Sequence, residues 1–243
     1  PIYEVGGCVR DSILGLANKD IDIASNLAPA EFKKLCKRLG YKTHDTGIDH
    51  GTITVMIDGT PYEHTTFRKD VSCDGRNATI EFSKTIEEDL SRRDFTINAI
   101  AKLGNELIDP FNGQEDLKSK ILRAVGKPEE RFSEDYLRIV RAARFKSRLQ
   151  LKADETLKDA AIKLSPNIIK HVSIERITDE IRKAKMHGRQ FFEEAENLGF
   201  LKYIFPEVLE LSEDEKCAWL VQVEHSQKEN ELIYFASILI PLY

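Results

Sequence analysis

In the first half of the chain apolar and polar positions alternate in short runs broken by glycine. "IYEVGG" (2–7) and "DIDIAS" (20–25) read as strands, and "GTITVMIDGTPYEHTTF" (51–67) as two strands joined across Asp58 and Gly59. Between them "CVRDSILG" (8–15) and "PAEFKKLCKRLG" (29–40) carry the helical period, the second ending at Gly40. Strands and helices are interleaved, so this half is α/β or α+β. From Ser133 the period becomes that of helices throughout. "SEDYLRIVRAARFKSRL" (133–149), "ADETLKDAAIKLS" (153–165), "SIERITDEIRKAKM" (173–186) and "GRQFFEEAENLGFL" (188–201) are separated by Gly, Pro or capping residues. The economical reading is two modules joined near residues 126–133, with Gly126 and Pro128 at the junction.

Composition changes this picture little. A chain of 243 residues, 41% of them hydrophobic, can bury a sizeable core. It has neither the roughly 18 consecutive apolar residues of a membrane span nor the opening of a signal peptide. Cys8, Cys36, Cys73 and Cys217 lie far apart, without C-x-x-C or histidine partners, which argues against zinc and for the reduced thiols of a cytoplasmic protein. The histidines show no spacing that suggests a site.

Charge changes it more. The net value of −5 hides an uneven distribution, because Leu117 to Leu149 holds ten basic residues against four acidic ones. The acid excess sits later, in "FFEEAE" and "LSEDE", which read as solvated helix faces. A basic stretch of this kind suits RNA phosphates. A non-catalytic RNA-binding module is therefore the reading to weigh against an enzyme.

The enzyme reading starts at residues 5–25, "VGGCVRDSILGLANKDIDIAS". Asp20 and Asp22 alternate with Ile21 and Ile23, so on a strand both carboxylates point to one face, roughly 7 Å apart at Cα. Paired carboxylates suit Mg²⁺, which takes hard oxygen ligands and phosphate oxygens together. Gly6 and Gly7 follow a strand and precede a helix, where backbone N–H groups can approach a phosphate. Each feature alone is common, the glycines as a simple turn and D-x-D as an exposed strand face. Their combination with Arg10 in one β-α-β stretch is far more specific.

This stretch resembles the signature of the polymerase-β-like nucleotidyltransferases, in the branch holding tRNA nucleotidyltransferases (CCA-adding enzymes) and bacterial poly(A) polymerases. Further matches follow in order: "YEHTTFR" (62–68), "RRDFTINAIA" (92–101), "DPFNGQEDL" (109–117), "RFSEDYLRIVRAARF" (131–145) and "SIER" (173–176). The resemblance implies an α+β fold: a nucleotidyltransferase head over 1–128 with a mixed sheet and helices, a helical neck over 129–188, and the start of a helical body over 189–243. Set beside the family, the chain is expected to be cut short at both ends.

The resemblance also assigns roles. Asp20 and Asp22 become catalytic Mg²⁺ ligands, and Glu63 a third carboxylate that either activates the RNA 3′-hydroxyl or orders the following loop. Gly6, Gly7, Arg10, Arg93 and Asp94 fall on nucleotide-binding positions, Asp94 touching ribose, holding Arg93, or bracing a helix with Asn98. Asp135 and Arg138, taken as i, i+3 on one helix, can imitate a Watson–Crick edge that accepts C or A and rejects U or G. An ordinary surface ion pair is the other reading of that spacing. Arg141 and Arg144 suit phosphate, or are simply solvated helix charges.

The implied reaction adds CCA to tRNA lacking its 3′ end, from CTP and ATP, with pyrophosphate released. A poly(A) polymerase, or an enzyme adding only CC or only A, is the alternative. "HGTITV" (50–55) and "GRNATIEF" (75–82) look more like the CCA-adding group. A full-length loop over 68–90, carrying Lys69, Asp70, Gly75, Arg76 and Lys84, resembles the flexible segment that switches selection from C to A.

Overall fold

The computed structural model describes residues 1–17, 20–47, 51–73 and 78–239. They divide into two compact units, the first made of Pro1–Ser72, Ala78–Ser119 and Ala124–Gly126, the second chiefly of Lys120–Arg123 and the chain from Lys127 on.

The first unit runs β1 (Tyr3–Val5), α1 (Gly7–Ile13), β2 (Ile21–Ser25), α2 (Pro29–Arg38), β3 (Lys42–Gly47), β4 (Thr52–Ile57), β5 (Thr60–Thr66), β6 (Arg68–Cys73), β7 (Ala78–Phe82), α3 (Ile86–Ser91), β8 (Ala101–Leu103), β9 (Glu106–Ile108) and α4 (Gly113–Ser119). Seven of these strands form a mixed sheet in the order β3-β4-β5-β2-β1-β8-β9, while β6 and β7 pair separately. The turn between β4 and β5 has Asp58 at φ 50° and Gly59 at φ 78°, the left-handed pair that a tight hairpin needs. β2 and β5 are parallel. Parallel neighbours need a long connection, which α2, β3 and β4 supply.

The two faces of β2 follow from its period. Ile21 and Ile23 pack with Phe32 and Cys36 of α2 and with Ile53 and Val55. Ala24 belongs to a different cluster, with Val5, Phe67, Ile86, Leu90, Ala99 and Ala101. Asp22 falls on the Ala24 side by alternation. Next to Glu63, His64 is fully buried, stacks on Phe32 at 3.6 Å and bonds Ser25 Oγ at 2.8 Å. Burial pushes its pKa down to about 4, so it stays neutral and braces the sheet.

α4 explains "DPFNGQEDL". Asp109 caps it, accepting from Gly113 N (2.8 Å) and Gln114 N (2.9 Å), and Asp116 accepts from Thr96 Oγ1 at 2.6 Å. The helix thereby sits on the 3-10 turn Thr96–Asn98 of "RRDFTINA". A Cβ on Gly113 would lie 2.2 Å from the Thr96 carbonyl oxygen, a backbone atom that cannot swing away. Gly113→Ala is therefore expected to destabilise the first unit by about 3 kcal/mol. Denaturant unfolding measures it, and an unchanged midpoint would show that the contact relaxes at no cost.

The second unit comprises β10 (Ile121–Leu122), α5 (Pro128–Glu134), α6 (Leu137–Leu149), β11 (Lys152–Ala153), α7 (Glu155–Leu164), α8 (Ile168–His171), α9 (Ile174–Ala184), α10 (Gly188–Asn197), α11 (Leu201–Ile204), α12 (Glu213–Ser226) and α13 (Glu231–Leu239). It is helical except for the short parallel pair β10–β11. α6 packs against both α9 and α10 and buries nearly every side, including Ile139, Val140, Ala142, Ala143 and Phe145. Beyond it Phe191, Phe192, Phe200, Phe205 and Trp219 form a chain of ring contacts. No helix of the described residues is long and apolar enough to cross a membrane.

The single helix expected over 133–149 is two. Asp135 stands between α5 and α6 with extended dihedrals, φ −154° and ψ 105°. Asp135 and Arg138 therefore do not share one helix face, and the i, i+3 argument for their alignment is corrected. The break has a local cause, since the Asp135 carboxylate accepts from Leu137 N at 3.1 Å, where a continuous helix would have drawn that N–H to a carbonyl.

Candidate active site

The parallel register of β2 and β5 places Asp22 directly opposite Glu63. Asp20 lies just before β2 and is exposed. Burial raises the Asp22 pKa to about 6, the carboxylates of Glu63 and Asp20 push the same way, and only Arg93 opposes them. The Asp22 carboxylate is thus poorly accommodated as a charge, first because it is buried and then because two other carboxylates are near. Among the described residues no three His, Cys, Asp or Glu side chains are grouped so as to hold a metal ion. The carboxylates of Asp20, Asp22 and Glu63 lie within electrostatic reach of one another, and hard carboxylate oxygens are the ligand type that a divalent cation takes.

Gly6 serves Arg93. It has φ 72°, and a Cβ there would stand 2.5 Å from Arg93 Nη1. The glycine lets the guanidinium lie across the β1–α1 turn, where Arg93 Nη1 reaches Asn98 O at 3.4 Å. Its Nη2 donates to Asp89 Oδ2 at 3.0 Å, and its buried Nε has no hydrogen-bond partner among the described residues. Gly7 begins α1.

Sequence reasoning passed over Asp89. This carboxylate is 1% exposed and also accepts from Arg92 Nε (3.2 Å), Arg92 Nη2 (2.9 Å) and Arg68 N (3.4 Å). Burial would raise its pKa, but Arg93 and Arg92 outweigh burial and hold it below the ordinary aspartate value. Its signal was present as an acid three and four residues before an arginine pair.

Arg10 is turned inward rather than offered to solvent. It is 3% exposed, with Nη1 on Asn98 Oδ1 at 2.6 Å and Nε on Asp11 Oδ1 at 2.8 Å. Asp94 Oδ1 accepts from Phe95 N (2.9 Å) and Asn98 Nδ2 (3.0 Å), which is the bracing arrangement. One network runs from Asp94 through Asn98 to Arg10.

In the second unit the basic stretch is largely paired. Arg138 Nη1 donates to Glu134 Oε2 at 2.6 Å and to Arg131 O at 2.8 Å, and Arg131 shares that Glu134 oxygen. Asp135 Oδ2 accepts from Arg176 Nη2 at 2.8 Å. Arg144 is 7% exposed and meets the buried Glu180 at 2.5 Å, while Arg141 stands 3.7 Å from the same residue. Lys146 pairs with Glu194, and Arg123 with Asp154. Pairing on this scale leaves the segment less suited to collecting RNA phosphates than its charge suggested.

The segment expected as a flexible loop over 68–90 contains β6, β7 and all but the last residue of α3. Gly75 and Arg76, named there as levers, lie outside the described residues, as do His50 of "HGTITV" and residues 75–77 of "GRNATIEF".

The family described as "Poly A polymerase head domain" matches residues 2–123, and "Probable RNA and SrmB- binding site of polymerase A" matches residues 151–211. The CCA-adding enzyme of Lactobacillus helveticus is 45% identical over 196 residues, covering 79% of this chain and 48% of that protein. That of Ligilactobacillus salivarius is 48% identical over 179 residues, covering 72% and 43%. The chain thus spans about half the length of the curated relatives it matches. Among solved structures, the Bacillus stearothermophilus CCA-adding enzyme in complex with CTP superposes with a TM-score of 0.78 at 33% identity, over 99% of this chain and 61% of that one. A tRNA nucleotidyltransferase complexed with a primer tRNA and an incoming ATP analog gives 0.76 at 30%, over 99% and 71%. With residues 2–123 matched and these relatives beside it, the chain belongs to the family of tRNA nucleotidyltransferases and poly(A) polymerases.

Proposed function

We propose that the chain supplies the catalytic part of a cytoplasmic CCA-adding enzyme, which extends tRNA lacking its 3′ CCA with CTP and ATP and releases pyrophosphate. The observation that carries this reading is the Asp22–Glu63 register beside Asp20, with Arg93 held within reach of Asp22. Asp20 and Asp22 would hold Mg²⁺, which when bound neutralises phosphate charge and activates the attacking hydroxyl. Glu63 is the third carboxylate, either taking the proton of the RNA 3′-hydroxyl or ordering the segment that follows it. Arg93, whose buried Nε has no hydrogen-bond partner among the described residues, meets nucleotide oxygens over the Gly6–Gly7 turn. Arg10 and Asp94 act by fixing that turn from behind.

In this reading residues 1–128 are the catalytic head, 129–188 the neck that reads the base, and 189–243 the start of a helical body. Asp135 accepts from the exocyclic amine of C or A, and Arg138 donates to the ring acceptor. Arg141 is half-buried and suits a phosphate, whereas Arg144, buried on Glu180, serves by holding its helix. A poly(A) polymerase would share the glycines, the aspartates and "RRDFTIN". The relatives named above favour CCA addition.

Primer extension on tRNA lacking its 3′ end tests the proposal. Cytidine addition with CTP alone and completion to CCA with both nucleotides is the expected result. ATP-only tailing of any RNA would mean a poly(A) polymerase. RNA binding that persists in chelator without incorporation would mean a binding module. In the same assay Arg138→Ala is expected to relax discrimination against UTP by about 10- to 100-fold, the 1–3 kcal/mol of one lost base-edge pair. An unchanged CTP-to-UTP preference would leave Arg138 a structural ion pair.

A further inference from the structure

We propose that Arg176, the arginine of "SIER", is a positioning residue for base selection that sets the plane of the Asp135 carboxylate. The inference rests on the base-reading role given to Asp135 above. It starts from the corrected geometry. Asp135 is not carried on a helix face but stands at the extended joint between α5 and α6. Regular backbone therefore does not aim its side chain.

Two contacts do. Leu137 N donates to Oδ1 at 3.1 Å and Arg176 Nη2 to Oδ2 at 2.8 Å. The first ties one oxygen to the start of α6. The terminal torsion of an aspartate is broad, so one tethered oxygen still allows the carboxylate plane to swing. The second bond, arriving from a residue 41 positions later, closes that freedom. A template that discriminates by donor and acceptor pattern needs its atoms held to within about 0.5 Å and 10–20°. Each carboxylate oxygen can accept more than one hydrogen bond, so Arg176 can hold Asp135 and leave it able to accept from a base.

Arg176 is itself well founded. It lies in the first turn of α9, and one turn later on the same face Glu180 is buried against Arg144 and Arg141 of α6. Ile177 and Ile181, both buried, lie on that packed side of α9. α9 thus grips the reading segment at two points a turn apart. Because the Arg176 side chain is 35% exposed, its loss opens no cavity in the core.

The test is the ratio of kcat/KM for CTP to that for UTP, measured for the parent, Arg176→Ala, Arg176→Lys and Arg138→Ala. Arg176→Ala is expected to lower the ratio about 10-fold, the small end of the range for a base-edge pair, because the acceptor is loosened and not removed. Arg176→Lys, which keeps the charge without the planar fork, should recover only part of it. A purely structural residue would lower both nucleotides alike and leave the ratio alone. That result, with Arg138→Ala relaxing selection in the same assay, overturns the role of Arg176. If Arg138→Ala leaves the ratio unchanged as well, the base-reading assignment fails and the inference falls with it. Should Arg176→Ala lose its helical circular dichroism, Arg176→Lys carries the same comparison.

Discussion

Asp22→Ala is expected to cut nucleotide incorporation by at least about a thousand-fold, close to 4 kcal/mol in the barrier, without lowering the melting temperature. The two halves of this expectation share one cause. Asp22 sits partly buried with Glu63 opposite it and Asp20 nearby, an arrangement that raises its pKa to about 6 and so marks the charged carboxylate as poorly accommodated in the protein alone. Such crowding makes sense when a cation is to be bound, and it contributes nothing to folding. The core contacts of β2 come from Ile21, Ile23 and Ala24, which the substitution leaves in place. Primer extension in Mg²⁺ and calorimetry measure the two halves. Turnover near that of the parent protein would remove the metal-ligand role, and a large fall in melting temperature would show that Asp22 supports the sheet.

Glu180→Ala carries the largest expected effect on stability, about 3–5 kcal/mol, because it strands a buried arginine. Glu180 is 2% exposed and receives Arg144 at 2.5 Å, with Lys183 at 3.3 Å and Arg141 at 3.7 Å. Burial alone would raise its pKa, but Arg144 and Arg141 outweigh burial and hold it below the ordinary glutamate value. The sign of the pH dependence follows. A carboxyl depressed in the folded state stabilises it fully above the unfolded pKa, and that contribution is lost as pH falls through the folded one. The parent should therefore lose stability on acidification below the ordinary glutamate range, whereas Glu180→Ala should lose less over the same interval. Urea denaturation of both proteins from neutral pH downward reads the difference. Parallel curves would show that Glu180 is not the responsible group.

What the sequence made legible was local. Alternation and the Asp58–Gly59 dipeptide specify the β4–β5 hairpin, and the period of "PAEFKKLCKRLG" specifies α2. The break at Asp135 was hidden because the apolar pattern of 133–149 runs straight through it, and a contact with Arg176 supplies part of its stability. The place of Arg10 beside the glycines points to a nucleotide contact, yet Asn98, 88 residues away, takes it into the interior. Asp89 was invisible for the same reason, since its importance lies in holding Arg92, Arg93 and the backbone of Arg68 together. β3 escaped notice because "KTHDTG" is polar and mostly exposed.

The grip of α9 crosses a boundary that sequence comparison draws. Arg176 and Glu180 fall inside the segment 151–211 matched as an RNA-binding region, while Asp135, Arg141 and Arg144 precede it. A graft that transplanted this segment from another protein would separate each charge from its counterpart. Unless the donor happened to bring an arginine and a glutamate one turn apart in the same frame, the recipient would keep the carboxylates proposed as catalytic and lose the base selection proposed for Asp135 and Arg138. On the proposed function, exchanging the segment matched as an RNA-binding region and altering nucleotide choice would be one act of engineering.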